Sequence, residues 1–189
     1  MRIEYKGTHI YQTPEEQTLI KGLLGRVKEL KGDVVEVGVF NGGTARIIRE
    51  ELPEDQIFLL DTFAGFPELH ESDIPHFELG GCATTEESVT KLFKDDAKAK
   101  IIKGKFPDTA KEITSKSFKF VHLDTDIYPP TKAGLEYFFP KMVKGGIILI
   151  HDYPVHPGVK LAVDNWLEAN PDVQSEVIGV SLRQFAVYK

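Results

Sequence analysis

The chain has 189 residues, of which 41% are hydrophobic and 28% are charged, a balance typical of one globular domain. Its net charge of −6 argues against a nucleic-acid-binding protein, which needs clustered Lys and Arg to neutralise phosphates. The sequence has neither the run of about 18 apolar residues that a membrane span requires nor the apolar core of a secretory signal. The single cysteine, Cys82, excludes an intrachain disulfide and a multi-cysteine metal site. We therefore expect one cytoplasmic domain over residues 1–189.

The first predicted element is a helix. Thr13, Pro14 and Glu16 supply an N-cap, a proline in the first turn and the glutamate of a capping box. Apolar residues over 19–27 then follow the 3.6-residue period of one buried helix face. We interpret residues 1–32 as an N-terminal helical cap.

Strands and helices alternate over the rest of the chain. Predicted strands cover 34–37, 57–60, 100–103, 118–123 and 147–150, and predicted helices cover 42–51, 84–93, 107–113, 131–139 and 159–167. This alternation predicts βαβ units and a parallel sheet, and the wholly apolar strands are typical of a sheet with helices on both faces. Two final strands, 175–180 and 184–188, are joined by a turn too short for a crossover and are expected to be antiparallel. The predicted fold class is α/β, with a Rossmann-like, mostly parallel sheet.

A glycine-rich turn links the first strand of this sheet to the next helix. It comprises Glu36, Gly38, Asn41, Gly42, Gly43 and Thr44. The free N–H groups and the dipole of a helix N-terminus favour an anion, which can be a carboxylate. The spacing is G-x-x-x-G-G and matches neither the dinucleotide fingerprint G-x-G-x-x-G nor the P-loop. Because ligands bind beyond the strand carboxyl ends in open parallel sheets, this turn is a candidate binding site.

Asp61 ends the next predicted strand. A carboxylate at that position can accept hydrogen bonds from both ribose hydroxyls of a nucleoside. Together with the glycine turn, Asp61 predicts a nucleoside site whose ligand carries one anionic substituent. The alternative interpretation is that the glycines only form a tight turn and that Asp61 binds local backbone groups.

Acidic residues also follow two later strands. Asp124 and Asp126 come after the strand at 118–123, and His151 and Asp152 come after the strand at 147–150. Asp124, His151 and Asp152 should face one crevice, where converging carboxylates repel each other unless a cation lies between them. They are candidate ligands of Mg²⁺, whereas an imidazole ligand favours Mn²⁺, Fe²⁺ or Zn²⁺. Such an ion would lower the pKa of an acceptor hydroxyl.

Other roles for these residues remain open. Asp126 can serve as a loop acceptor or helix cap, and Asp152 can hydrogen-bond Tyr128 or the backbone. His151 is a candidate metal ligand, a candidate general base, or a group that orients Asp152.

Four ordered motifs, at 36–44, 60–67, 123–131 and 145–153, resemble the macrocin O-methyltransferase family. That family comprises class I S-adenosylmethionine-dependent methyltransferases that act on small-molecule hydroxyls, often sugars. The resemblance implies their sheet, in which the last strand is inserted antiparallel. The combination of four motifs is specific, whereas any one of them alone would not be.

The resemblance also implies roles for individual residues. The 36–44 turn would hold the methionine part of S-adenosylmethionine, and Asp61 would hold its ribose hydroxyls. Asp124 would lie at the metal and near the amino group of the cofactor, and Asp152 would be a second metal ligand. Family members carry two acids before the tyrosine of the last motif, and here the first of them is His151.

A long loop at 65–84 carries His70 and His76 among acidic residues. Loops of this length are commonly lids, binding loops or disordered segments. One hypothesis is that the loop closes over the acceptor and that a histidine supplies the base. The alternative is a solvated acidic loop with incidental histidines.

The function expected from the sequence is metal-assisted O-methylation of a small-molecule hydroxyl, on a sugar or a phenol. We expect S-adenosylmethionine and a divalent ion, with Mg²⁺ first among the candidates, as cofactors. Neither nucleic acid nor membrane is an expected partner, and a homo-oligomer is a possible state. The alternatives are a nicotinamide-dependent oxidoreductase on a similar sheet and a non-catalytic nucleoside-binding module.

Overall fold

Strands and helices alternate along the part of the chain described by the computed structural model, residues 3–5, 8–113, 117–179 and 183–189. The strands are β1 (Ile3–Tyr5), β2 (Thr8–Ile10), β3 (Asp33–Val37), β4 (Ile57–Asp61), β5 (Ala99–Lys103), β6 (Phe118–Leu123), β7 (Met142–Ile150), β8 (Gln174–Ile178) and β9 (Gln184–Tyr188). The α-helices are α1 (Pro14–Val27), α2 (Gly43–Glu51), α3 (Glu86–Phe93), α4 (Tyr128–Phe138) and α5 (Pro157–Glu168). Within the described ranges, no helix is long and apolar enough to cross a membrane.

Seven of these strands form one sheet, in the order β5-β4-β3-β6-β7-β9-β8. Strands β3 to β7 run parallel to one another, whereas β9 is antiparallel to both β7 and β8. The predicted mostly parallel sheet with an antiparallel C-terminal strand is therefore confirmed. The strand order reverses between β3 and β6, and such a reversal opens a ligand crevice at the carboxyl edge of a sheet.

Apolar side chains cover both faces of the sheet. Successive residues of a strand point to opposite faces, so that Val34 and Val35 belong to different hydrophobic clusters. Helices α1, α2 and α3 pack on the Val34 face, and α4 and α5 pack on the other face. The expected helices on both faces are present, and burial of this apolar surface stabilises the fold by about 25 cal/mol per Å².

The N-terminal segment differs from the predicted helical cap over residues 1–32. Helix α1 begins as expected, because Thr13 and Glu16 form the capping box, with Glu16 Oε2 accepting from Thr13 N at 2.8 Å. Ahead of it, however, β1 and β2 pair as an antiparallel hairpin. Strands of three residues are too short to give a periodic signal, which explains why the sequence pattern missed them.

Other element boundaries also differ from the predicted ones. Helix α4 begins at Tyr128, earlier than predicted, because a proline is tolerated in the first helical turn, where its missing N–H has no partner to lose. Strand β7 extends back to Met142, and the predicted helix at 107–113 is a 3₁₀ turn over Asp108–Glu112. The predicted turn between the last strands includes Ser181 and Leu182, which lie outside the described residues.

Candidate active site

A cavity of about 490 Å³ opens at the carboxyl edge of the sheet, within the range of about 300–1,000 Å³ typical of small-molecule sites. The predicted site residues that line it are Glu36, Gly38, Asn41, Gly43, Thr44, Asp61, Asp124, His151 and Asp152. Gly42 does not line the cavity. It is the N-cap of α2 with φ +79°, and a Cβ there would lie 2.9 Å from Leu92 Cδ1. Its role is to let the turn pass close to α3.

The glycine turn is held against the end of β6. Gly38 has φ +88°, and a Cβ at this position would lie 1.8 Å from the carbonyl oxygen of Asp124. Only glycine permits that approach. Among the described residues, no side chain caps the N-terminus of α2, whose first residues Gly43 and Thr44 line the cavity. The backbone N–H groups of this turn are therefore suited to an anionic ligand group.

Asp61 makes the local backbone contacts that were weighed from the sequence. Its Oδ2 accepts from Phe40 N at 2.7 Å, and its Oδ1 accepts from Phe63 N at 2.7 Å. These bonds anchor the glycine turn and the start of the next loop. Because each carboxylate oxygen has a second lone pair, Asp61 can still accept hydrogen bonds from a ligand in the cavity.

A buried pair that the sequence reasoning missed lies behind the glycine turn. Glu36 Oε1 lies 2.9 Å from His122 Nδ1, and the two side chains are 1% and 0% exposed. Burial raises the pKa of Glu36 to about 7, although His122 opposes this shift. Glu36 Oε2 and His122 Nε2 have no hydrogen-bond partner among the described residues. The available signal was a histidine near the end of β6, a strand in which every residue is buried.

Two overlapping groups of acids and histidines line the other side of the cavity. In the first, His151 Nδ1 lies 2.9 Å from Asp152 Oδ2 and 3.2 Å from Asp124 Oδ1. In the second, His156 Nδ1 lies 3.5 Å from Asp126 Oδ1 and 3.9 Å from Asp152 Oδ2. The candidate ligand atoms within each group lie within 4.8 Å of one another. The predicted convergence of the strand-end residues is thus observed.

Three side chains from outside the predicted site complete this cluster. Gln12 Nε2 donates to Asp124 Oδ2 at 2.8 Å, and the guanidinium of Arg183 donates to Asp152 Oδ1. On the far side of the imidazole, Glu16 Oε1 lies 3.7 Å from His151 Nε2. Gln12 precedes α1 and Arg183 precedes β9, so no local pattern near the strand ends points to either residue.

The charges in this cluster shift the pKa values of its members. Burial disfavours the imidazolium of His151, but Asp124, Asp152 and Glu16 outweigh burial and hold the pKa of His151 well above its usual value. Burial likewise opposes ionisation of Asp152, yet its cationic neighbours lower the pKa of its carboxyl. Burial together with the charges of Asp124 and Asp152 raises the pKa of Asp126.

The donor set does not fit the predicted divalent ion. The two oxygens of Asp124 face Gln12 Nε2 and His151 Nδ1, and the two oxygens of Asp152 face His151 Nδ1 and Arg183. A nitrogen that donates a proton to a carboxylate cannot offer its lone pair to a metal. The same holds for His156, whose Nδ1 lies 3.1 Å from the carbonyl oxygen of Asp126.

The loop at 65–84 is docked beside the cluster. Its ends are paired, with Phe66 N donating to Gly81 O at 2.9 Å. Near its middle, the buried Asp73 accepts from Tyr128 N and from His70 N, each at 2.7 Å. The His70 ring also stacks on Tyr128 at 4.2 Å. The loop therefore rests on the N-terminus of α4.

The two histidines predicted as possible bases in this loop, His70 and His76, are not among the described residues that line the cavity. His70 Nδ1 lies 2.7 Å from Ser72 Oγ, inside the loop itself. The structure therefore does not place either imidazole at the acceptor.

This sheet, with its crevice beyond β3 and β6, defines the class I methyltransferase fold. The chain matches the family profile of the Macrocin-O-methyltransferase (TylF) over residues 22–188. It belongs to that family, as the resemblance of the four motifs indicated.

Individual relatives agree with this assignment. The chain is 27% identical over 165 residues to the demethyldecarbamoylnovobiocin O-methyltransferase of Streptomyces niveus, covering 79% of this chain and 63% of that protein. It is 29% identical over 140 residues to the 8-demethyl-8-(2,3-dimethoxy-alpha-L-rhamnosyl)-tetracenomycin-C 4'-O-methyltransferase of Streptomyces olivaceus, covering 66% of this chain and 54% of that protein. The chain thus spans less than two thirds of the length of either relative.

Solved structures show the same fold. The O-methyltransferase NovP superposes with a TM-score of 0.79 at 25% identity, covering 93% of this chain and 79% of that one. The calicheamicin methyltransferase CalS11 superposes with a TM-score of 0.76 at 22% identity, covering 91% of this chain and 77% of that one.

Proposed function

We propose that the protein transfers a methyl group from S-adenosylmethionine to a hydroxyl of a small molecule, such as a sugar or a phenol. The observation that carries this proposal is the open cavity between an uncapped helix N-terminus and the carboxylate of Asp61. Membership of the macrocin O-methyltransferase family supports it. The names of the relatives describe O-methylation of a demethyldecarbamoylnovobiocin and of a rhamnosyl tetracenomycin.

The cofactor would bind along the β3 and β4 side of the cavity. Backbone N–H groups at Gly43 and Thr44 would take the carboxylate of the methionine part, and Asp61 would take the ribose hydroxyls. Glu36 and Asp124 would face the ammonium group. The ionisable groups at the ends of β3 and β4, Glu36 and Asp61, are acidic, and carboxylates complement the positive charges of an ammonium and a sulfonium.

The reaction is an in-line displacement at the sulfonium methyl group. An acceptor oxygen forms the new C–O bond while the C–S bond breaks, and the cofactor leaves as a neutral thioether. The main contribution of the protein is to hold the reacting atoms about 3 Å apart and in line. The acceptor proton must pass to a base within the cavity.

Asp126 is the carboxylate best suited to take that proton. It lines the cavity, and burial beside Asp124 and Asp152 raises its pKa and so strengthens it as a base. His151, the catalytic residue predicted from the sequence, is instead enclosed by the acids described above. We assign His151 a positioning role, which holds Asp124 and Asp152 in place.

We propose further that the loop at 65–84 covers the acceptor. Asp73 anchors it to α4, and Phe77 lies edge-on to His156 at a ring distance of 5.5 Å. The proposed reaction uses no metal, because the side chains around Asp124 and Asp152 do not fit a divalent ion. The cytoplasmic location and the homo-oligomer remain predictions.

Calorimetry with S-adenosylmethionine, S-adenosylhomocysteine and NADH tests the cofactor. We expect both adenosyl compounds to bind in equal stoichiometry and NADH not to bind. Binding of NADH alone would favour the oxidoreductase, and failure of the adenosyl compounds to bind would end the proposal.

Methyl transfer to a panel of sugar and phenol acceptors tests the reaction. Asp126→Asn should lower turnover without changing the affinity for S-adenosylhomocysteine. The matched control is Asp95→Asn, which alters a carboxylate that is 88% exposed and remote from the cavity lining. Cofactor binding without transfer to any acceptor would favour the non-catalytic module.

A further inference from the structure

We propose that Arg183 and His151 occupy the position that a divalent ion would take between the acids of this cluster, so that the site is assembled and works without a metal. The inference deepens the proposed function and rests on it for the identity of the reaction. Its structural core is the set of contacts that Asp124 and Asp152 make.

The electrostatic problem comes from three strand-end carboxylates. Asp124, Asp126 and Asp152 all line the same cavity. Like charges at such distances repel, and the repulsion must be compensated by protonation or by a cation. The folded protein therefore needs positively charged groups beside these acids, and Arg183 and His151 are the neighbouring side chains that supply them.

Each carboxylate oxygen of Asp152 faces a protein donor. Its Oδ1 accepts from the guanidinium of Arg183, and its Oδ2 lies 2.9 Å from His151 Nδ1. Asp152 is only 4% exposed and has φ +62°, so its backbone is held in a conformation rare for a residue with a side chain. A guanidinium stays charged at all physiological pH values, which makes Arg183 a permanent counter-ion.

Asp124 is engaged in the same way. Its Oδ2 accepts from Gln12 Nε2 at 2.8 Å, and its Oδ1 lies 3.2 Å from His151 Nδ1. The imidazole nitrogen thus lies between the two carboxylates, where a shared metal would have to enter. An Mg²⁺ ion requires oxygens at about 2.0–2.1 Å, so it would have to displace this contact.

The second nitrogen of the His151 imidazole, Nε2, faces a further carboxylate, that of Glu16. Glu16 Oε1 lies 3.7 Å from His151 Nε2, and Glu16 Oε2 is fixed by Thr13 N at 2.8 Å. Glu16 is 2% exposed, and the capping box at the start of α1 fixes its carboxylate. Residues 16, 124 and 152 thus surround the ring from three sides, and a metal bound between Asp124 and Asp152 would have to displace His151 Nδ1.

Arg183 and His151 both bring positive charge to the acids. The guanidinium of Arg183 is a permanent cation, and Asp124, Asp152 and Glu16 overcome the effect of burial and raise the pKa of His151, which favours its imidazolium form. Both residues contact the carboxylate of Asp152. Because Arg183 is far from Asp152 in the sequence, it can neutralise this negative charge only in the folded protein.

The test is manganese binding to the protein after treatment with a chelator. Electron paramagnetic resonance with MnCl₂, and calorimetry with MgCl₂, should show no site on the wild-type protein. A double variant, His151→Asp with Arg183→Gln, restores a negative charge and removes the guanidinium. It should bind Mn²⁺ with a dissociation constant at least about tenfold below the highest Mn²⁺ concentration at which the wild type shows no binding, a difference of about 1.4 kcal/mol or more.

Gain of binding cannot arise from loss of the fold, and circular dichroism checks the variant independently. The matched control, Arg46→Gln, removes a guanidinium that pairs with Glu50 on α2, and it should leave Mn²⁺ binding unchanged. The proposal is overturned if the wild type binds one Mn²⁺ and Asp152→Asn abolishes that binding. It is equally overturned if the folded double variant binds no Mn²⁺.

Titration of S-adenosylhomocysteine in the same samples keeps the two proposals distinguishable. We expect its affinity to be the same with and without chelator. If the cofactor product fails to bind under both conditions, the proposed methyltransferase function fails, whereas the manganese measurement still decides the role of Arg183 and His151.

Discussion

The β3–β4 side of the cavity is built mainly from backbone, whereas the β6–β7 side is built from side chains of distant segments. On the first side, Gly38 fits against the carbonyl oxygen of Asp124, and Asp61 accepts from Phe40 N. On the second, Gln12 and Arg183 reach the strand-end acids, and Asp73 binds the N-terminus of α4. The side assigned to the cofactor therefore depends on backbone shape, and the side assigned to the acceptor depends on side-chain contacts between distant segments.

Gly38→Ala should have the largest effect. An added Cβ would collide with the carbonyl oxygen of Asp124 at 1.8 Å, and φ +88° disfavours any side chain. We expect a loss of stability of about 3 kcal/mol or more and no cofactor binding, measured by chemical denaturation and calorimetry.

The matched control for this variant is Gly22→Ala in α1. No described atom lies within 4 Å of the added Cβ, so the substitution should stabilise the helix by about 0.5–1 kcal/mol. Equal stability of the wild type and Gly38→Ala would show that the turn does not depend on this close approach.

Asp61→Ala should separate the two sides of the cavity. It removes the acceptor proposed for the ribose hydroxyls and the anchor of Phe40 N, and we expect cofactor affinity to fall about 100-fold, or about 2.7 kcal/mol. Asp152→Asn should instead lower turnover and leave the dissociation constant of S-adenosylhomocysteine nearly unchanged. If both variants lose cofactor affinity equally, this division of roles is wrong.

Asp73→Ala tests the docked loop. Loss of two hydrogen bonds, one of them at the N-terminus of α4, should destabilise the protein by about 1–3 kcal/mol. If the loop covers the acceptor, the KM for the acceptor rises and limited proteolysis within 65–84 becomes faster, while cofactor affinity stays constant. Glu71→Ala, at an exposed position of the same loop, is the control. An unchanged KM would reject the lid.

The smallest effect is the pH dependence due to Glu36. Burial raises its folded-state pKa from 4.5 to about 7, so between these values the folded state binds a proton that the unfolded state releases. The contribution of Glu36 to stability is therefore present below the unfolded pKa and is lost as pH rises through about 7. Its slope is at most about 1.4 kcal/mol per pH unit.

Glu36→Gln should remove this dependence. The free energy of unfolding of the variant, relative to that of the wild type, should therefore increase by about 1–3 kcal/mol from pH 5 to pH 8. Denaturation at both pH values measures it. An identical pH profile for variant and wild type would show that Glu36 does not titrate in this range.

Much of the fold could be predicted because its signals are local. The capping box of Thr13 and Glu16, the apolar strands and the alternation of strands with helices depend on residues close together in sequence. The hairpin of β1 and β2 was missed because strands of three residues have no measurable period.

The candidate site could be predicted only in part. Strand-end positions pointed to Asp61, Asp124 and Asp152, since the carboxyl ends of parallel strands meet at one edge. His122 was overlooked because its pairing with Glu36 joins adjacent strands β3 and β6, which are far apart in the chain.

The amino-acid sequence by itself determined the order of the elements and the position of the glycine turn, because both follow from local residue patterns. Only the tertiary structure decided what surrounds Asp124 and Asp152. Gln12 and Arg183 reach these acids because α1 and β9 pack beside β7, and no local pattern encodes the identity of a counter-ion that arrives through long-range packing.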